Sequence, residues 1–205
     1  DYGIFYEFIP MNEFKGIKSK AIPLSEVEIN INYALVITTN GGLWRYIIGD
    51  TVIFTSLNPF KIKISGRTKS FINCFGEELI VENADLAVAH ACNKTNSNIK
   101  EYTACPIFMK NNIKGAHEWL FEFSKKPSNL KVFAKLLDQK LQEINTDYRA
   151  KRENDLILDF PEVKIAKEKT FEKWLKSNNK LGAQNKIPRL LNSREIMEQL
   201  LKIKD

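Results

Sequence analysis

The sequence predicts an α+β protein, with a β-rich first third followed by a section in which strands and helices mix. Three observations predict this class. Short β-branched or alternating segments crowd into residues 1–65 between turn signals such as "NGG", "IGD" and "LNP". Later in the chain, apolar residues recur at helical spacing, most clearly in 128–144. A chain of 205 residues with 43% hydrophobic and 11% aromatic residues can bury a sizeable core, so disorder is excluded.

Taken in order, "GIFYEFIP" opens as a strand, and because no Met precedes it the chain reads as cut from something longer. Segments "YALVITT" (33–39), "TVIFTS" (51–56) and "KIKIS" (61–65) follow as strands. "ENADLAVAHAC", from Glu82 to Cys92, has helical composition. Two further strands are predicted at 102–110 and 118–124, the second placing Trp119, Phe121 and Phe123 on one face. In 128–144, Leu130, Phe133, Leu137, Leu141 and Ile144 form a helical stripe suited to covering a sheet. Phe171, Trp174 and Leu175 mark a shorter helix. A last helix begins at "NSRE", where the sequence predicts that Asn192 caps, Glu195 reaches back, and Ile196, Leu200 and Ile203 are buried. The polar stretch from 177 to 189 between these two helices reads as a mobile loop. A boundary is placed at "SGRTKS" (65–70), giving residues 1–65 and 66–205 as separate domains.

Composition excludes several function classes. No apolar run approaches the roughly 20 residues of a membrane helix, and the start has no signal-peptide pattern, so a soluble cytoplasmic protein without a membrane partner is predicted. Cys74, Cys92 and Cys105 are odd in number and lack a CxxC, which fits reduced core thiols and suggests neither a disulfide framework nor a zinc site. A net charge of +6 favours an anionic partner without naming it. A basic nucleic-acid-binding module would need clustered basic residues and exposed aromatics for stacking. Here the aromatics fall at core periodicities and acidic residues interleave with the basic runs, so no nucleic acid is predicted.

Three stretches, "YIIGD" (46–50), "GRTKSFINCFGEEL" (66–79) and "NKIPRLL" (185–191), resemble in order and spacing the C-terminal motifs of the adenylate-forming superfamily. Gly66, Arg67, Lys69, Ile72, Asn73 and Gly76 fill the middle motif. In the last, Lys186, Ile187 and Arg189 match while Asn185 stands where the superfamily has Gly. "FYEFIP" (5–10), "WRYIIGD" (44–50), "GAHEWLFEF" (115–123) and "LGAQNKIPRLLNSR" (181–194) are similar to one branch, the auxin-responsive Gretchen Hagen family of acyl-acid amido synthetases. The family's N-terminal phosphate- and acyl-binding motifs do not occur in this sequence. The resemblance therefore implies the β-rich end of a large domain (1–65) and a small C-terminal lid (66–205).

It also implies roles. Asp50, with Arg67 and Tyr46, would hold the ribose and nucleotide of ATP. Lys186 would meet both the acyl carboxylate and the α-phosphate as they react, and Lys69 would be the hinge. Mg²⁺ would be bound mainly through the phosphates and the N-terminal part. Partners would be ATP and AMP, a carboxylic acid and an amino-acid acceptor, with thioester formation on coenzyme A as the alternative. Residue by residue, simpler readings stand beside these: a turn-forming Asp for Asp50, a surface ion pair for Arg67, a solvated loop residue for Lys186, and a buried ion pair for Arg45. His90 and His117 are read as packing or capping residues, and the aromatics of 102–123 as core.

Overall fold

The computed structural model describes residues 3–16, 18–68, 70–109, 114–153, 157–179, 182 and 186–203. They fall into two compact units, Asp1–Lys69 and Ser70–Asp205.

In the first unit, β1 (Ile4–Pro10), β2 (Ile22–Pro23), β3 (Asn32–Thr39), β4 (Tyr46–Leu57) and β5 (Phe60–Arg67) form a five-stranded antiparallel sheet in the order β2-β1-β3-β4-β5. β-Branched residues and aromatics alternate along these strands and so share one face. Phe8, Tyr33, Val52 and Phe54 bury that face together with Val27. Their rings meet edge to face, Phe8 and Phe54 with centroids 5.0 Å apart. Ile62 pairs across from Phe54, and Ile64 from Val52, so they continue this apolar face along the edge strand. They nevertheless stand 51% and 73% exposed.

The second unit begins with a short hairpin, β6 (Phe71–Ile72) and β7 (Leu79–Ile80), that feeds α1 (Val81–Thr95). Next come β8 (Asn98–Ile107), β9 (Ala116–Lys125), α2 (Leu130–Ile144), α3 (Thr146–Arg152), β10 (Glu162–Ile165), α4 (Thr170–Ser177) and α5 (Glu195–Leu201). The sheet order is β10-β9-β8, with β9 central, antiparallel to β8 and parallel to β10. One face carries Tyr102, Trp119 and Phe121 against Val88 of α1 and the predicted stripe Phe133, Leu137 and Leu141 of α2. The other face sets Cys105 and Leu120 against Phe171, Trp174, Met197 and Leu200 of α4 and α5.

Helix α2 starts where it does because the Asn129 side chain accepts the amides of Lys131 and Val132. It stops at Asn145, whose extended backbone breaks the helix and whose side chain accepts the amide of Tyr148 to begin α3.

Two features are new and two expectations change. Strand β9 is buried on both faces, because helices cover both sides of the sheet. Strand β10 and helix α3, absent from the sequence reading, complete the layer. Asn192 does not cap α5: Arg194 precedes the helix without a side-chain cap, and Asn192 Oδ1 accepts the Asn73 amide at 3.1 Å. Met197 and Leu200 of α5 are fully buried, while Ile196 and, just past the helix, Ile203 are only partly covered.

Candidate functional site

Asp50 owes its place to a bulge. Between the pairs Val36↔Ile47 and Ala34↔Thr51, three residues of β4 lie opposite the single Leu35 of β3, and Gly49 takes φ 95° at the distortion. A side chain would be strained at that angle. The Gly49 carbonyl, turned away from β3, accepts the Thr68 amide at 2.9 Å. Asp50 is thereby paired with Arg67 of β5, and Arg67 Nε lies 3.3 Å from Asp50 Oδ1. Their side chains are 37% and 76% exposed, so an incoming ligand can reach both. Such an open pair contributes at most about 1 kcal/mol to folding. Tyr46, four residues earlier, exposes its ring. The three residues assigned to the nucleotide thus lie in one unit, at one end of β4 and β5.

Arg45 sits on the preceding turn at φ 43° and donates through Nε to Glu7 Oε2 of β1 at 3.0 Å. The ion pair anticipated for Arg45 exists, but half of its side chain is exposed, so the pair is not buried.

Lys186 belongs to the second unit and is exposed. The residues after it are held closely. Ile187 is buried with Phe171 and Trp174, and Leu190 enters the opposite core. Thr103 Oγ1 donates to the Pro188 carbonyl at 2.8 Å, the Ala104 amide to the Arg189 carbonyl at 2.8 Å, and the Leu191 amide to the Ala104 carbonyl at 2.9 Å. Residues 188–191 therefore run along the free edge of β8, joined to it by an isolated parallel bridge at Ala104↔Leu190, and the predicted mobile loop is anchored over this part. Lys69, the proposed hinge, and Asn185 lie outside the described residues.

Several polar clusters escaped the sequence reading. Asp85 of α1 contacts Arg189 and accepts the Tyr102 hydroxyl at 2.5 Å, while the Arg189 guanidinium lies 5.5 Å from the Tyr102 ring centre. Burial, reinforced by Asp85, raises the Tyr102 phenol and keeps it a donor. His117 is indeed buried, yet it does more than pack: its Nε2 donates to Glu77 Oε1 at 2.8 Å, and Glu77 Oε2 accepts the Phe75 amide at 2.7 Å. Burial pushes the Glu77 carboxyl up, but the hydrogen bond and charge of His117 outweigh it and hold it below the usual range. Asn145 donates to the carbonyls of Glu77 and Glu78, so the loop between β6 and β7 is fixed from two sides. Glu118, 0% exposed on β9, is met by Lys164 and by Arg194 at 2.5 Å. Only spacing along the chain was visible beforehand, and each of these pairs joins residues 38 or more positions apart or shares a member with one that does.

Among the described residues no group of three or more His, Cys, Asp or Glu could hold a metal ion. The described side chains therefore offer no ligand cluster that would hold Mg²⁺ by itself. The three cysteines are unpaired, and among the described residues no helix is long and apolar enough to cross a membrane.

Comparison with known proteins adds three findings. Residues 1–67 match the family model described as the GH3 family central domain, and residues 82–195 match the GH3 family C-terminal domain. The chain is 29% identical to indole-3-acetic acid-amido synthetase GH3.3 and 22% identical to 4-substituted benzoates-glutamate ligase GH3.12, both of Arabidopsis thaliana. Each alignment covers 96% of this chain, but the chain spans only 35% and 36% of those relatives' own length. In fold it is similar to a solved GH3.15 acyl acid amido synthetase, with a TM-score of 0.68 at 21% identity over 97% of this chain and 36% of that one. With family models matching both units in order, the chain belongs to the GH3 family, the Gretchen Hagen family that its motifs resemble.

Proposed function

We propose that this chain is the C-terminal portion of an ATP-dependent acyl-acid amido synthetase. A carboxylic acid would attack the α-phosphorus of ATP, forming acyl-AMP as pyrophosphate leaves. An amino-acid amine would then attack the acyl carbonyl, giving the amide and releasing AMP. Residues 1–65 would end the nucleotide- and acyl-binding domain, residues 66–205 would form a lid, and Lys69 would be the hinge between them. The protein would act in the cytoplasm, where unpaired cysteines such as its three remain reduced.

The observation that carries this reading is the register pair Asp50↔Arg67, which leaves a carboxylate and a guanidinium accessible side by side near the start of β4 and the end of β5. A carboxylate can accept both hydroxyls of a ribose, and Arg67 beside it can donate to ribose or phosphate oxygens. Tyr46 offers an exposed ring near the same strand end. Lys186 would supply the complementary charge: as two anions approach, an ammonium contacting both lowers the barrier, a type of stabilisation worth about 10²–10³ in rate. Amide formation is favoured over thioester formation because the aligned relatives are named for amide products.

The test is pyrophosphate release by the full-length protein across a panel of carboxylic acids, with and without amino acids. ATP- and acid-dependent release, with an amide product when an amino acid is present, supports the proposal. A product formed only with coenzyme A would replace the amide reading with thioester ligation.

A further inference from the structure

We propose that Asp85 is a positioning residue for Lys186, acting through Arg189. The inference rests on the catalytic role proposed for Lys186. Three features support it. Hydrogen bonds to Thr103 and Ala104 tie residues 188–191 to β8, but they fix backbone only. Ile187 and Leu190 enter opposite cores, so the segment is pinned across the sheet edge. Arg189 adds the tie to a different element: it reaches Asp85 on α1 and lies over the Tyr102 ring, and Tyr102 itself donates to the second Asp85 oxygen. One carboxylate thus joins α1, β8 and the Lys186 segment three residues from the ammonium-bearing side chain.

These residues also border an open groove of about 410 Å³. Its charged groups are engaged with neighbours: Asp85 with Arg189, Lys100 with Glu168, and Glu101 with the Tyr102 amide. That pattern suits a chain anchor better than a ligand-binding surface.

Without Asp85, the backbone ladder and both cores remain, so the fold should persist. Arg189 loses its tether to α1, and Lys186 gains angular freedom. Misplacement of a reacting group by about 1 Å can cost on the order of 10²-fold. In the full-length protein, Asp85→Ala should lower the adenylation rate roughly 10- to 100-fold with ATP KM little changed. Transfer from synthetic acyl-AMP to the amine should stay near wild type. The double variant Asp85→Ala, Lys186→Ala should be no slower than Lys186→Ala alone, because there is then no ammonium to position. Asp85→Asn, of the same shape, serves if the alanine variant does not fold, and should show the same split to a smaller degree. Normal adenylation in the Asp85 variants while Lys186→Ala is slow would overturn the positioning role alone. Equal loss in both half-reactions, or multiplied losses in the double variant, would overturn it too. A fully active Lys186→Ala would instead defeat the functional reading on which it rests.

Discussion

In the proposed function Asp50 and Arg67 would bind nucleotide while adding little to the fold. Their ion pair is open to solvent, so removing one partner should change stability by less than about 1 kcal/mol. Hydrogen bonds from ribose to a carboxylate are worth roughly 1.5–3 kcal/mol each, so the same change should be costly in binding. Asp50→Ala in the full-length protein is predicted to raise the ATP KM by one or more powers of ten, with the melting temperature nearly unchanged. Steady-state kinetics beside a thermal melt reads both. A large loss of stability with an unaltered KM would return Asp50 to the role of a turn residue.

At the scale of elements, β9 carries the most information. Glu118 is buried on it between Lys164 of β10 and Arg194 ahead of α5, so one carboxylate links three elements. Burial pushes its pKa up, but hydrogen bonds and charge from Lys164 and Arg194 prevail and lower it below the usual carboxylate value. A carboxyl whose folded pKa is depressed stabilises fully above its unfolded pKa, near 4.5, and loses that contribution as pH falls through the lowered value. The second unit should therefore weaken as the solution is acidified below about pH 4.5. Glu118→Gln should lower stability by roughly 1–3 kcal/mol near neutrality and flatten this acid limb. Thermal melts at several pH values check it, and an unchanged acid limb in the variant would contradict the assignment.

Strand β9 also shows why part of the fold was legible. The alternation of Trp119, Phe121 and Phe123 and the stripe through Phe133, Leu137 and Leu141 are local patterns, and the structure joins them across one face of the sheet. The other face was hidden because Glu118 and Glu122 are buried there through partners distant in sequence. β10 is four residues long, too short to show a period, and exists through its parallel pairing with β9. Asn192 had the composition of a cap, but the Asn73 amide captured its side chain. Asp50, Arg67 and Lys186 were assigned through the family resemblance of their motifs, whereas Asp85 had no motif to mark it: its contact with Arg189 spans 104 residues.

For the whole molecule, the two units should differ as isolated pieces. Residues 70–205 contain two apolar clusters around a sheet covered on both faces. The first unit leaves Phe60, Ile62 and Ile64 48%, 51% and 73% exposed at its edge. A piece of residues 70–205 is predicted to unfold cooperatively, and one of residues 1–68 to be marginal because so small a body buries little surface. Circular dichroism melts of the two pieces decide this. A non-cooperative 70–205 would contradict the independence of the second unit.

In the proposed function, Lys186 of the second unit would drive adenylation in an enzyme that goes on to form an amide. The most direct test follows the two half-reactions separately in the full-length protein bearing Lys186→Ala. Formation of acyl-AMP should fall about 10²–10³-fold, while transfer from synthetic acyl-AMP to an amino acid continues at close to the wild-type rate. Equal loss of both half-reactions in a folded variant, or no loss in either, would contradict that role for Lys186.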